Sequence, residues 1–187
     1  MSNFVEVMAD EHQAVLEFLE RLLALFVDIK KAGKVRIAPF EVKLWPDGPS
    51  REPDIIFVNE EGLSRFDSKR FVGAPNLVVE IISPSSLYID RNDKFREYEQ
   101  AGVEEYWLID SRPSHRRVDV FHLGEDRRYQ LVATEVDAKL YSNLLPYFYL
   151  RPEWLWDNTS PLQALGEILG AEEIMAALFK KDLPRSN

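Results

Sequence analysis

The sequence predicts an α/β fold in which one mixed sheet is flanked by helices. Helix-type and strand-type segments both occur along the chain, in the order helix, three strands, helix and then more strands. The 187 residues are 45% hydrophobic and 29% charged, which is typical of a globular domain with a core of its own. No apolar run reaches the roughly 18 residues that a membrane-spanning helix needs.

The first helix and the first strand are predicted from their patterns of apolar residues. Residues 10–30 repeat apolar side chains on one helical face, with Asp10 as a candidate N-cap and Gly33 as a candidate stop. Residues 35–45 are rich in β-forming side chains and partly alternate, so they predict a strand that is broken near Pro39.

Turn residues separate the next two predicted strands. Residues 46–50, PDGPS, have the composition of a turn. Residues 52–58 predict a strand with Pro53 at its start, where a missing N–H matters least. Residues 59–75 predict a polar loop with at most one helical turn. Residues 76–83, NLVVEIIS, predict a buried strand.

The rest of the chain predicts a helix ending at Gly102, a strand, a hairpin, an aromatic segment that packs on the core, and an amphipathic helix. These elements occupy, in order, residues 90–102, 103–110, 116–123 with 128–134, 144–156 and 160–181. We therefore expect one domain over residues 1–158 and a helical appendage over residues 159–187.

Composition narrows the location and the binding partners that we expect. The chain has no cysteine, which excludes disulfides and thiolate metal sites and fits a reducing compartment. No basic region followed by an apolar stretch opens the sequence, so we expect no secretory signal and a cytoplasmic protein. A net charge of −9 counts against generic binding of phosphate backbones. Despite this net charge, local basic clusters at residues 67–71, 114–119 and 125–130 could line a groove that binds nucleic acid.

Two carboxylates mark a candidate metal site. Glu80 lies inside an apolar strand, where an unpaired carboxylate would be costly. Asp54 stands at the head of the preceding predicted strand, and sequential strands usually pair as neighbours. The two acids would then meet at one edge of the sheet and repel each other. Mg²⁺ is commonly held by one or two carboxylates, so we predict a shared metal ion.

The helix after the Glu80 strand adds a basic group to this edge. Asp90, Lys94 and Tyr98 recur at i, i+4 and i+8 and therefore share one helical face. Lys94 would project toward the metal, where it could orient the attacking water or stabilise phosphate charge.

Three blocks of sequence, REPDIIFV, LVVEIISPSS and DRNDKFREYEQAGVEEYWLID, resemble the signature of the bacterial Uma2 family, which is similar to the PD-(D/E)XK nucleases. The resemblance implies a restriction-endonuclease-like fold and hydrolysis of phosphodiester bonds with Mg²⁺ or Mn²⁺. Asp54 would be the aspartate of the motif and Glu80 its second acid, with the Ile81 carbonyl as an extra ligand. The lysine of the motif belongs at Ile82, and Lys94 of the next helix would replace it.

The same resemblance implies a nucleic acid as partner, in particular DNA, and a homodimer, because nucleases of this fold often cut two strands as dimers. His12 resembles a histidine of the family's first helix. The three histidines of the chain, however, show no metal-ligand spacing.

Further residues near the predicted site have a structural reading beside a functional one. Glu41, Ser83, Asp90 and Tyr98 are candidates to support the two acids. Asp90 also suits the first turn of a helix, and Tyr98 a packing position with its hydroxyl at the surface.

The three main residues also have alternatives. Asp54 could cap a turn, Lys94 could be a solvated charge, and Glu80 could pair with an arginine, of which the candidates are Arg51, Arg91 and Arg96.

Three functions remain open at this stage. The first is a Mg²⁺-dependent endonuclease, which the two acids, the helical lysine and the resemblance favour. The second is a nuclease-fold binding module without chemistry, which the net charge and the absence of lysine at Ile82 favour. The third is a hydrolase of another phosphate ester, because a metal site defines a substrate less closely than it defines a reaction.

Overall fold

The structure is a computed structural model that describes residues 2–83 and 86–179. Within these ranges no helix combines the length and the hydropathy that crossing a membrane requires. The four α-helices are α1 (Ser2–Lys30), α2 (Phe95–Ala101), α3 (Pro161–Leu169) and α4 (Ala171–Phe179). Two 3₁₀ segments at Glu60–Arg65 and Pro152–Leu155, and a π-helical segment at Ile89–Lys94, complete the described helical structure.

A six-stranded mixed sheet forms the centre of the fold. Its strands, in spatial order, are β1 (Gly33–Ile37), β4 (Ile55–Asn59), β6 (Leu77–Ile82), β7 (Glu105–Asp110), β8 (Arg117–Leu123) and β9 (Tyr129–Thr134). The β6–β7 pair is parallel, and the other four pairs are antiparallel. The parallel pair is connected through α2, as a parallel connection requires.

Two small sheets accompany the main one. The first has the order β3 (Ser50–Arg51), β2 (Glu41–Lys43) and β5 (Arg70–Val72), and the second pairs β10 (Leu140–Tyr141) with β11 (Tyr149–Leu150). The predicted break near Pro39 is confirmed, because it separates β1 from β2. Strand β5 lies where the sequence predicted only a polar loop.

The main sheet has a core on each face, which explains why its central strands read as continuous apolar runs. All six residues of β6 are buried. One face packs against α1, whose Leu19, Leu22 and Phe26 are fully buried. The other face packs against α2 and the small β3–β2–β5 sheet, with Tyr98 and Phe71 at its centre.

The boundaries of the first helix differ from the prediction. Helix α1 begins at Ser2, so Asp10 is an interior residue rather than an N-cap. The helix ends at Lys30, and Lys31 adopts the left-handed conformation with φ of 53°. Gly33 instead starts β1 at a φ of 146°, where an added Cβ would lie 2.1 Å from the Val58 carbonyl oxygen.

The prediction of a single helix at the C-terminal end is wrong. Two helices, α3 and α4, meet at Gly170, and residues 180 and 181 of the predicted helix lie outside the described ranges. In α3, Ala164 and Leu165 are buried in the core on the α1 side of the sheet. Helix α4 has no buried residue and is tied to α1 by an ion pair between Glu173 and Lys30 at 2.6 Å.

Candidate functional site

The two predicted acids meet where β4 begins and β6 ends. Ile55 pairs with Val79 in the antiparallel register, so Asp54 and Glu80 continue that register by one residue. The Ile81 backbone N–H donates a hydrogen bond of 2.6 Å to Asp54 Oδ2. The expectation that neighbouring strands bring these residues to one edge of the sheet is therefore confirmed.

Glu80 is buried and has two charged or polar partners from the following helical segment. Lys94 Nζ donates to Glu80 Oε2 at 2.8 Å, and the Tyr98 hydroxyl donates to Oε1 at 2.6 Å. An arginine partner for Glu80 was the wrong alternative: Arg51 binds Glu97, and Arg91 binds Asp119. The surface position predicted for the Tyr98 hydroxyl is also wrong, because the side chain is fully buried.

Lys94 bridges two buried acids rather than standing in solvent. Its Nζ also forms an ion pair of 2.8 Å with Asp90 Oδ1, four residues earlier in the chain. Asp90 is the acid of the first π-helical turn, as its sequence position suggested, and is only 1% exposed. The π-helical turns place Asp90 and Lys94 on the face toward the sheet, and π-turns are frequent at functional sites.

The charges of this cluster change the pKa values of its members. Burial raises the pKa of Glu80 to about 7, with Asp54 and Asp90 adding to the rise and Lys94 opposing it. Burial lowers the pKa of Lys94, but attraction to Glu80 and Asp90 outweighs burial and leaves the pKa raised. Burial also raises the pKa of Tyr98, so its hydroxyl stays a proton donor to Glu80.

His12 joins the site from α1, on the other side of the sheet. Its Nε2 lies 3.6 Å from Asp54 Oδ2. Asp54 raises the pKa of His12 and the Ile81 backbone adds to the rise, while burial opposes it. His12 shows no metal-ligand spacing in the sequence. Two signals pointed to it: its resemblance to a histidine of the family's first helix, and its position on a helix whose apolar face packs over the sheet.

The two remaining candidates, Ser83 and Glu41, lie in different parts of the fold. Ser83 follows β6 directly, and its hydroxyl donates to Ser86 Oγ at 3.0 Å. Glu41 lies in the separate β3–β2–β5 sheet, where it accepts a hydrogen bond from Ser50 at 2.7 Å and contacts Arg70 at 3.5 Å.

The donor set fits a hard divalent cation in its chemistry. Asp54, Glu80 and the Ile81 carbonyl offer oxygen ligands, and the buried Asp90 carboxylate lies nearby, with its Oδ1 paired to Lys94 Nζ at 2.8 Å. The described residues contain no group of three or more His, Cys, Asp or Glu side chains arranged to hold a metal. Mg²⁺ needs only one or two carboxylates, since water completes its shell. In this structure the Lys94 ammonium supplies the positive charge beside Glu80.

The basic clusters predicted from the sequence separate in space. Residues 114–119 lie at the site's end of the sheet, since Arg117 pairs with Asp110, whose parallel neighbour is Ile82. Residues 125–130 form the β8–β9 turn at the opposite end, and residues 67–71 lead into β5 of the small sheet. Arginines of all three clusters contact acids, among them Arg117 with Asp119 and Arg128 with Glu99.

The fold is similar to one solved for a protein described as a putative nuclease. A solved structure described as "a putative nuclease belonging to DUF820 from Anabaena variabilis" matches with a TM-score of 0.62 and 16% identity, covering 78% of this chain and 80% of that one. The chain belongs to the Uma2 family, whose description is "Putative restriction endonuclease" and whose model matches residues 4–152. No curated protein matches the sequence significantly.

Proposed function

We propose that this protein is a metal-dependent endonuclease that hydrolyses phosphodiester bonds of DNA. The convergence of Asp54, Glu80 and Lys94 at one end of a buried strand pair supports the proposal most directly. Membership of a family whose description is "Putative restriction endonuclease" supports the same reaction class.

Each residue has a role in this mechanism. Asp54, Glu80 and the Ile81 carbonyl would hold a Mg²⁺ or Mn²⁺ ion, which when bound would supply a water of lowered pKa and offset phosphate charge. The Ile81 N–H holds the Asp54 carboxylate in place, and the Tyr98 hydroxyl does the same for Glu80. The Lys94 ammonium has three N–H donors, so beside its contacts with Glu80 and Asp90 it can donate a hydrogen bond to the attacking water or to a phosphate oxygen.

Asp54→Asn tests the proposal without disturbing the backbone contact, because an asparagine oxygen also accepts from the Ile81 N–H. We expect cleavage of plasmid DNA with Mg²⁺ to fall by roughly a hundredfold or more, since a lost metal ligand removes several kcal/mol of transition-state stabilisation. Asp28→Asn, an exposed aspartate of α1, is the matched control and is expected to cleave like the parent. Equal rates for Asp54→Asn and the parent would refute the assignment.

A binding module without chemistry is the second candidate. The observation that favours it is that Lys94 and Tyr98 satisfy both Glu80 oxygens, so the buried acid needs no metal. Binding of DNA that neither Mg²⁺ nor the Asp54→Asn change alters, together with no cleavage by the parent, would select this function.

A homodimer is the assembly that we propose for cutting two strands. Helix α4 offers an exposed apolar surface, with Leu178 71% and Phe179 73% exposed. Light scattering after size exclusion is expected to give about twice the 21.7 kDa of the chain. The double change Leu178→Ser and Phe179→Ser is expected to shift the mass toward the monomer, and a strictly monomeric parent would contradict the proposal.

A further inference from the structure

A groove of about 580 Å³ runs along α1 beside the proposed active site. It is bounded by α1, by Arg116 directly before β8, and by the segment that leads from the second 3₁₀ turn into α3. Glu11 lines one end of the groove, and the next residue, His12, contacts Asp54. From Glu11 to Arg21 the groove follows α1 for roughly 15 Å at the rise of an α-helix.

The groove carries an aromatic surface that is open on one side. Trp156 is half-buried, and the Arg116 guanidinium lies over its ring at 5.2 Å from the centroid. Trp154 and Phe18 form the buried wall behind it. Nucleobases stack on tryptophan rings and on guanidinium planes, so a base entering here would extend the Arg116–Trp156 stack.

The charges of the groove balance, which sets it apart from the acidic chain as a whole. Arg116 contacts Glu11 at 3.5 Å, and Arg21 contacts Glu17 at 3.4 Å. The Arg21–Glu17 pair is largely exposed and the Arg116–Glu11 pair is partly exposed, and ion pairs in contact with solvent are weak. A neutral aromatic groove suits an uncharged planar group better than it suits a row of phosphates.

We infer that this groove binds an unpaired nucleobase of the substrate strand, next to the phosphodiester that is cut. The inference rests on the proposed function, because the active site supplies the reason why a nucleic-acid strand lies here. The faces of a base paired inside a duplex are already stacked on its neighbours, so the groove favours single-stranded or frayed substrates.

Binding of a labelled oligothymidine of about a dozen nucleotides, followed by fluorescence anisotropy in EDTA, tests the inference without any cleavage. We expect Trp156→Ala to weaken binding by about tenfold, which is the loss typical of one stacked base. Trp156→Phe keeps a stacking ring and is expected to stay within about threefold of the parent. Tyr147→Ala removes an aromatic side chain that is 78% exposed elsewhere, and it is expected to bind like the parent.

Salt and strand dependence give a second readout. Stacking predicts a shallow fall in affinity between about 50 and 200 mM salt, and weaker binding of the matching duplex. A steep salt dependence with equal binding of duplex would mean that phosphates carry the contact, and would overturn the inference. So would a Trp156→Ala variant that binds like the parent, or a parent that does not bind.

The outcome for the groove is separable from the outcome for the active site. Glu80→Gln is expected to lose cleavage but to bind the oligonucleotide with parental affinity in EDTA. Binding through Trp156 by a parent that never cleaves would support base binding in the groove and refute the proposed nuclease activity. Cleavage by the parent that is unaffected by Trp156→Ala would support the nuclease activity and refute base binding in the groove. Capture of a peptide in preference to the oligonucleotide would show that the groove serves a protein partner instead.

Discussion

Lys94→Met is expected to lower the free energy of unfolding by about 3–5 kcal/mol, because it leaves two buried carboxylates without their shared cation. Glu80 and Asp90 are 2% and 1% exposed, so neither can be solvated without opening the helical segment. Part of the loss is relieved when Glu80 binds a proton, so the effect is largest above the Glu80 pKa of about 7. Urea unfolding at pH 8 measures it.

The same variant separates a structural lysine from one that shares a metal site. If Asp54 and Glu80 hold a cation, Mn²⁺ replaces the lost ammonium charge and raises the Tm of Lys94→Met more than the Tm of the parent. Lys69→Met, at an exposed lysine, is the control and is expected to change neither stability nor the Mn²⁺ response. A Lys94→Met variant as stable as the parent would show that the ion pairs contribute nothing to the free energy of unfolding. A variant whose Tm does not respond to Mn²⁺ would exclude Glu80 as a metal ligand.

Much of the fold was accessible from local patterns. Strand β6 was predicted because an uninterrupted apolar run bounded by turn residues suits a strand covered on both faces. Helix α2 was predicted to end at Gly102, and it does so because that glycine takes a φ of 92°. Strand β5 was missed, because three residues in a polar segment carry too little pattern to be distinguished from a loop.

The candidate site was accessible only in part, for a physical reason. An acid in a buried strand signals a partner but does not identify it, since the partner depends on how the next helix packs. The π-helical turns at Ile89–Lys94 determine that packing, and no residue type in the segment indicates a π-helix. His12 reaches Asp54 through the packing of α1 on the sheet, a contact across 42 residues that local pattern does not encode.

Glu105, like Glu80, is a carboxylate in a buried strand. Glu105 opens the buried strand β7 and is 1% exposed. It accepts hydrogen bonds from Trp107 Nε1 at 2.6 Å, from Ser142 Oγ at 3.1 Å and from the Asn143 N–H at 3.1 Å. His122 Nε2, buried and without a hydrogen-bond partner, lies 3.7 Å from its Oε2. The acid therefore ties the loop after β10 to the end of the sheet opposite Glu80.

Glu105 is expected to make the protein less stable as the pH rises. Burial raises the pKa of Glu105 from 4.5 to about 7, against the hydrogen bonds that favour its ionised form. The folded state then binds more protons than the unfolded state between these values, so stability falls with rising pH in that window. From pH 5 to pH 8 the free energy of unfolding is expected to lose roughly 2–3 kcal/mol from this group.

Glu105→Gln isolates that contribution, because glutamine keeps the size of the side chain and does not titrate. Burial of Glu80 acts in the same direction, so the parent and the variant must be compared at each pH by urea unfolding. The stability difference between them is expected to shift by roughly 2–3 kcal/mol in favour of the variant as the pH rises from 5 to 8. Glu104→Gln, at the exposed neighbouring position, is expected to follow the parent. A difference that stays constant with pH would mean that Glu105 is ionised across the range, with its hydrogen bonds outweighing burial.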